Sequence, residues 1–437
     1  MRLKIIHSLS TLLVISLLCS CSSSQKLHKA LSHDLNSKTF DQSFTGFALY
    51  DVEKKEFVLE QNSNKYFTPA SNIKLLTFYA AINVLEDSIP GIRYVSTPDS
   101  LIFWGTGDPS FLNPNLPESR VLNFLKSSPK DLYLANSPAN IPPLGPGWAW
   151  DDYNDYYSAE RSQFPVYGNV VNFKWNLGDS IPISKPKYFS EHIKRNNNPS
   201  HVIQRNVNSN TFDYNSAMLK ENLEVDIPFK TSVELTAKLL SDTLQKPVTL
   251  IIKPSYLQKK DVKTVYSIVT DSLYKEMLQE SDNFIAEQLL LLISEKVSDT
   301  LSTSLAIDHI QSTYFQDLPD DIKWVDGSGL SRYNLVTPRT LVSILERIIH
   351  KLPKEKLFQL LPAGGESGTL KDWYLGEEPY IFAKTGSLRN NHSLSGYLKT
   401  KSGKIMIFSF MNNNYVTPSS KIKKAMENIL LEIRNSY

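Results

Sequence analysis

The chain has 437 residues, with 47 Lys and Arg set against 45 Asp and Glu, and 41% of it is hydrophobic. That length supports more than one domain with a buried core, and the composition excludes widespread disorder. A formal charge of +2 offers no concentrated basic face, so no nucleic-acid partner is expected.

The first twenty residues depart from this average. Arg2 and Lys4 give a positive start, and Leu9 to Leu18 is a largely apolar run too short to span a bilayer comfortably. It ends in Leu18-Cys19-Ser20-Cys21, similar to a bacterial lipoprotein signal in which a small residue precedes the lipidated cysteine. Ser20 fits that place, so residues 1–20 are expected to be a signal peptide and Cys21 the lipidation site. The expected location is the cell envelope, exported and held to a membrane through an N-terminal lipid. The chain has only these two cysteines. Cleavage before Cys21 leaves a mature protein with no free thiol, no disulfide and no cysteine nucleophile.

Residues 21–42 are polar and read as a tether. Apolar pieces at 45–52 and 56–59 around a charged turn predict two strands. Pro69 then stops a strand, and Ser71 opens a helix whose run from Leu75 to Leu85 is apolar on most faces, hence buried. From 92 to 250 Pro and Asn accumulate, and pieces such as 101–104 and 170–173 read as strands of a mainly β inserted region. Helices are expected at 265–279 and 284–296. A meander of strands follows at 380–384, 394–399 and 404–411, with turns at Gly386 and Gly403. The stripe of Ile422, Met426, Ile429, Leu430 and Ile433 predicts a core-facing closing helix. Residues 43–91 and 251–437 would then form one α+β domain, an antiparallel sheet covered by helices, with 92–250 looped out of it.

Three short motifs occur in chain order: Ser71-Asn72-Ile73-Lys74, Ser281-Asp282-Asn283 and Lys384-Thr385-Gly386. On a helix, positions i and i+3 share a face, so Lys74 falls near the Ser71 hydroxyl. A serine needs a base to become a nucleophile, and lysine serves only when burial or a neighbouring cation, such as Lys384, lowers its pKa. Singly, the first motif says little, because the same spacing recurs at Ser127, Ser184, Ser272 and Ser420. Ser-Asp-Asn alone reads as a helix cap. Lys-Thr-Gly occurs once, and Gly386 with small Ser387 lets a substrate backbone approach a strand edge. The weight lies in the three together, in order, each on the element its chemistry requires.

These motifs resemble those of the serine penicillin-binding proteins and serine β-lactamases. Further stretches narrow the resemblance to the D-Ala-D-Ala carboxypeptidase/endopeptidase family, peptidase family S13. They are G-T-G-D-P-S-F at 105–111, P-G-W-A-W-D-D-Y at 146–153, E-S-D-N-F-I-A-E-Q-L-L at 280–290, D-G-S-G-L-S-R-Y-N-L-V-T-P at 326–338 and L-S-G-Y-L at 394–398. Ser281 follows Ser71 by 210 positions, which agrees with the family's inserted domains. The resemblance implies a penicillin-binding-protein/serine β-lactamase-like transpeptidase fold with the insert. It implies that Ser71 attacks the penultimate D-Ala carbonyl, that Lys74 takes the serine proton, and that Ser281 relays a proton to the leaving amine. Asn283 would bind the substrate amide and orient Lys74. Lys384, Thr385 and Ser387 would hold the terminal carboxylate, and the Ser71 and Ser387 N–H groups the oxyanion. Peptidoglycan stem peptides ending in D-Ala-D-Ala are the implied substrates, and β-lactams covalent inhibitors, with no cofactor. Ser387 stands where threonine is common, and Arg389-Asn390-Asn391-His392 is more polar than expected there.

Other conspicuous groups read as structural. Asp151-Asp152 is taken as capping or an interdomain contact, because Ser-Lys chemistry needs no carboxylate. The eight histidines include no H-E-x-x-H, so no metal is expected. Gly365-Glu366-Ser367-Gly368-Thr369 misses the G-x-S-x-G elbow, and Asp326-Gly327-Ser328-Gly329 reads as a tight turn. Two rival functions remain: a serine β-lactamase, against which stands the absence of E-x-x-L-N between the first two motifs, and a non-catalytic peptidoglycan-binding lipoprotein.

Overall fold

The computed structural model describes residues 29, 31–116, 119–136, 141–197, 199–251 and 261–437, so the signal segment and Cys21 lie outside the described residues. Strand β1 (Phe44–Asp51) and β2 (Glu56–Gln61) form the expected hairpin, with the Asp51 carboxylate accepting the Glu53 and Lys54 N–H groups of its turn. A 3-10 turn over Ala70–Ile73 leads into α1 (Lys74–Val84). Then come β3 (Ser88–Ser96), β4 (Ser100–Gly105), α2 (Arg120–Ser127) and β5 (Asp131–Ala135). The short strands β6 (Val170–Trp175), β7 (Ile183–Lys185), β8 (Ile193–Arg195), β9 (Ile203–Arg205), β10 (Phe212–Tyr214) and β11 (Leu223–Pro228) follow. Helix α3 (Val233–Leu244), β12 (Val248–Ile251) and β13 (Lys263–Val269) precede a run of five helices. These are α4 (Thr270–Gln279), α5 (Asn283–Ser298), α6 (Thr303–Tyr314), α7 (Pro338–Lys351) and α8 (Lys354–Leu360). Strands β14 (Ile381–Leu388), β15 (Asn391–Lys399) and β16 (Ile405–Asn413) and the closing α9 (Ser419–Ser436) complete the chain.

The first and last strands meet in one antiparallel sheet, ordered β14-β15-β16-β1-β2. Its side chains alternate between two apolar layers, as strand geometry requires. Ala48 and Tyr50 of β1 face a core built from α1, α4, α5 and α7, while Phe47 and Leu49 face the α9 stripe. A strand covered on both sides has no solvent face, which is why β1 is apolar almost throughout. The result is the expected α+β layering.

A second sheet, ordered β12-β5-β4-β3-β13, mixes parallel and antiparallel pairs, and two three-stranded sheets join it. A separate apolar cluster holds this part together, with its buried members drawn from between Ile92 and Val248. Besides strands it contains α2 and α3, whose Leu235, Leu239, Leu240 and Leu244 are buried. Strand β3 straddles the boundary expected at 91/92.

Three expectations need correction. The run at 265–279 is not one helix: its first residues form β13, antiparallel to β3, and the helix starts at Thr270. Gly386 lies inside β14, and the turn to β15 falls instead at Arg389-Asn390. Leu31, Leu35 and Phe40, placed in the tether, are buried against α9 and the sheet, because their apolar surface finds a partner there.

Candidate active site

Ser71 sits on the 3-10 turn at the foot of α1, and the sequence around it explains why the turn holds its place. Asn72 Nδ2 donates to the Lys384 carbonyl at 2.8 Å, tying the turn to β14. A Cβ on Gly386 would lie 2.5 Å from the Pro69 carbonyl oxygen and 2.9 Å from the Ser71 nitrogen. The glycine of Lys-Thr-Gly is therefore required by the close approach of β14 to the serine turn, not only by a substrate. Gly329, at φ 82°, is pressed harder still, since its Cβ would stand 1.9 Å from the Ala70 carbonyl oxygen.

One helical turn on, Lys74 Nζ is fully buried and lies 3.0 Å from Ser71 Oγ, 2.6 Å from Asn283 Oδ1 and 2.7 Å from the Ser328 carbonyl oxygen. Burial brings the Lys74 pKa down to about 8, against the pull of Asp282, Asp326 and Glu287. Burial is thus the lowering cause, where the sequence pointed equally to a neighbouring cation. Lys384 is equally buried, and its pKa is held well below the ordinary lysine value by burial first and by Lys74 second. Its Nζ donates to Ser281 Oγ at 2.8 Å.

The Ser-Asp-Asn tripeptide does two jobs. The Asp282 side chain caps α5 by accepting the Ile285 N–H at 2.7 Å. Ser281 before it adopts the left-handed region, φ 62°, which turns its hydroxyl towards Lys384. Asn283 Nδ2 donates to the Tyr157 carbonyl at 3.0 Å, and this contact fixes which side-chain atom faces Lys74.

On β14, Thr385 Oγ1 donates to Thr369 Oγ1 at 2.7 Å, and Ser387 Oγ lies 2.8 Å from His392 Nδ1. Ser71, Ser281, Asn283, Thr385 and Ser387 open onto one cleft of about 1100 Å³. The three motifs are therefore brought together around a single groove.

A supporting network was not legible from the motifs. The buried Asp326 carboxylate accepts from the Gly329 and Ser331 N–H groups, from Asn334 Nδ2 and, at 2.9 Å, from the Trp148 indole. The buried Glu287 accepts the Ser328 N–H at 2.8 Å and faces Arg161 at 3.4 Å. Burial, with the nearby Asp326, raises the Glu287 pKa to about 7, while Arg161 opposes the shift. These contacts fix the Ser328 carbonyl that receives the Lys74 amine. P-G-W and D-G-S-G stand out in the sequence, but their meeting depends on long-range folding. Asp151 and Asp152 line the cleft, and Asp152 accepts the Tyr157 hydroxyl at 3.1 Å.

Both the fold and the sequence of the chain resemble those of known proteins. In fold the molecule is similar to the penicillin-binding proteins. It matches penicillin binding protein 4 (dacB) of Haemophilus influenzae with a TM-score of 0.72 at 19% identity, over 93% of this chain and 99% of that one. A peptidoglycan endopeptidase of Bdellovibrio bacteriovorus matches at a TM-score of 0.54 and 16% identity, over 90% and 93% of the two chains. In sequence, the D-alanyl-D-alanine carboxypeptidase DacB of Haemophilus influenzae is 24% identical, covering 92% of each chain. The D-Ala-D-Ala carboxypeptidase 3 (S13) family matches residues 27–433, and the chain belongs to that family of serine-type hydrolases.

Proposed function

We propose that the chain is a D-Ala-D-Ala carboxypeptidase and endopeptidase of peptidoglycan, acting through an acyl-enzyme on Ser71. The observation that carries this reading is the set of partners around Lys74 Nζ. Two of its three oxygens, the Asn283 amide and the Ser328 carbonyl, can only accept hydrogen bonds. A neutral amine has two N–H donors and one lone pair. With both donors engaged, the lone pair is left for the third partner, the Ser71 hydroxyl. That is the arrangement a general base needs.

The steps follow from this placement. Ser71 Oγ attacks the carbonyl of the penultimate D-Ala as its proton passes to Lys74. The oxyanion is held by the Ser71 and Ser387 N–H groups. As the C–N bond breaks, the leaving amine takes a proton through Ser281, and the terminal D-Ala departs. Water then attacks the ester with Lys74 again as base, and Ser71 is regenerated. An arriving carboxylate favours the charged form of Lys384, and a charged Lys384 in turn favours neutral Lys74. Ser387 offers a hydroxyl to that carboxylate, and Thr385 does so by turning its hydroxyl hydrogen from Thr369 to the substrate. Endopeptidase action is supported by the size of the cleft, which leaves room beyond one terminal residue, and by the likeness to the Bdellovibrio endopeptidase. β-Lactams acylating Ser71 are supported by the Haemophilus protein, solved with a β-lactam bound. Export and lipid anchoring at Cys21 rest on the sequence alone; Cys21→Ala should leave the membrane fraction.

The test is release of free D-Ala from a peptide ending in D-Ala-D-Ala, together with digestion of purified cross-linked peptidoglycan read by mass spectrometry. Both activities are expected for the wild type and neither for Ser71→Ala. Rapid turnover of penicillin without action on either peptide would mean a β-lactamase, and no reaction with any of them a binding protein.

A further inference from the structure

His392 lies next to the proposed carboxylate site, yet the reaction as derived gives it no part. It stands directly across the β14-β15 ladder from Ser387. The two-residue turn between them, with Asn390 at φ 68°, fixes that register. The imidazole is buried, 3% exposed, while Ser387 is exposed, and both line the cleft. Its Nδ1 is 2.8 Å from Ser387 Oγ.

A serine at this position has a particular need. Threonine, with a branched Cβ, is stiff about χ1, whereas serine turns more freely between rotamers and spins its hydroxyl hydrogen as well. A hydroxyl is one donor with two lone pairs. If it donated to the ring, only lone pairs would face the cleft, and a carboxylate there would be repelled. If the ring donates to it, the hydroxyl hydrogen is free for the carboxylate. We propose that His392 is a positioning residue that donates its Nδ1–H to Ser387 Oγ, turning the Ser387 hydroxyl hydrogen towards the terminal carboxylate of the substrate. The inference rests on the reading of Ser387 as a carboxylate-binding residue. A neutral ring suits the role, because it has a single N–H to commit. Burial, with nearby Lys423 adding to it, holds the His392 pKa down to about 3.

The test uses the full-length protein with His392→Asn, His392→Gln and His392→Phe. An asparagine amide nitrogen can take the place of Nδ1, whereas a glutamine amide nitrogen takes the place of Nε2. Each protein is assayed on an acylated tripeptide ending in D-Ala-D-Ala and on the same peptide ending as a carboxamide. The ratio of kcat/KM for acid over amide is independent of how much protein is folded. His392→Phe and His392→Gln are expected to lower that ratio about tenfold or more, mainly through KM for the acid, as expected for a hydrogen bond to a charged group. His392→Asn should stay within about threefold of the wild type. Normal penicillin labelling with an unchanged ratio in all three variants, or equal losses in Asn and Gln, would overturn this inference alone. Failure of penicillin to label the wild type, with no hydrolysis of the acid peptide, would overturn the acyl-enzyme reading and this inference with it.

Discussion

Replacing Gly386 with alanine puts a methyl group where the serine turn already stands. The added carbon would meet the Pro69 carbonyl oxygen at 2.5 Å, the Ser71 nitrogen at 2.9 Å and the Asn72 nitrogen at 3.0 Å. All three are backbone atoms, so no flexible side chain can swing aside. Ordinary contact begins near 3.4 Å, so β14 and the turn must part by roughly 0.9 Å in an interior with little free space. Lys384 and Thr385 move with the strand and Ser71 with the turn, so the nucleophile shifts relative to the carboxylate site. A displacement of that size costs a rate factor of about 100, equivalent to about 2.7 kcal/mol in the barrier. Overpacking should also cost about 1–3 kcal/mol of stability, which leaves a folded protein to assay. The measurement is the second-order rate of labelling by a fluorescent penicillin, with melting followed in parallel. Labelling within about threefold of the wild type would refute the reasoning.

Other perturbations test separate links. Because Lys74 must be neutral and its pKa is about 8, labelling should rise about tenfold per pH unit between pH 6 and 7 and level off above about pH 9. A flat profile from pH 6 to 9 would contradict Lys74 as the base. Ser281→Ala and Ser281→Gly should both slow D-Ala release by about 100-fold or more. Glycine relieves the left-handed backbone at φ 62°, so Ser281→Gly should melt above Ser281→Ala. Arg161→Met leaves Glu287 buried without its partner and should cost about 3–5 kcal/mol in chemical denaturation at pH 8. Since the Glu287 pKa is already raised to about 7, protonation relieves the unpaired charge as pH falls, and the loss should be smaller at pH 5.

What was legible from sequence was local. Lys74 follows Ser71 by one helical turn, Ser-Asp-Asn lies at the expected helix cap, and Lys384 lies on the expected strand, which runs on through Thr385 and Gly386 where a turn was expected. The closing helix showed itself because its stripe repeats at helical spacing. The rest depended on partners distant in the chain. Arg161 and Glu287 are 126 residues apart, and nothing near either one announces the other. The Trp148 indole reaches Asp326 across 178 residues, so neither P-G-W nor D-G-S-G revealed its purpose alone. Leu31, Leu35 and Phe40 were hidden among polar neighbours, and it is the surfaces of α9 and the sheet, distant in the chain, that make them core. Helix α3 does carry a signal, the Ser232 cap followed by leucines at helical spacing, but it is a single short helix among many strand-like pieces.

The central claim is that Ser71 itself becomes acylated. Treating the protein with penicillin, digesting it with trypsin and locating the adduct by mass spectrometry tests this most directly. The account predicts a mass increase equal to the whole penicillin on the peptide containing Ser71, absent from Ser71→Ala. An adduct on any other peptide, or one that persists in the Ser71→Ala protein, would contradict it.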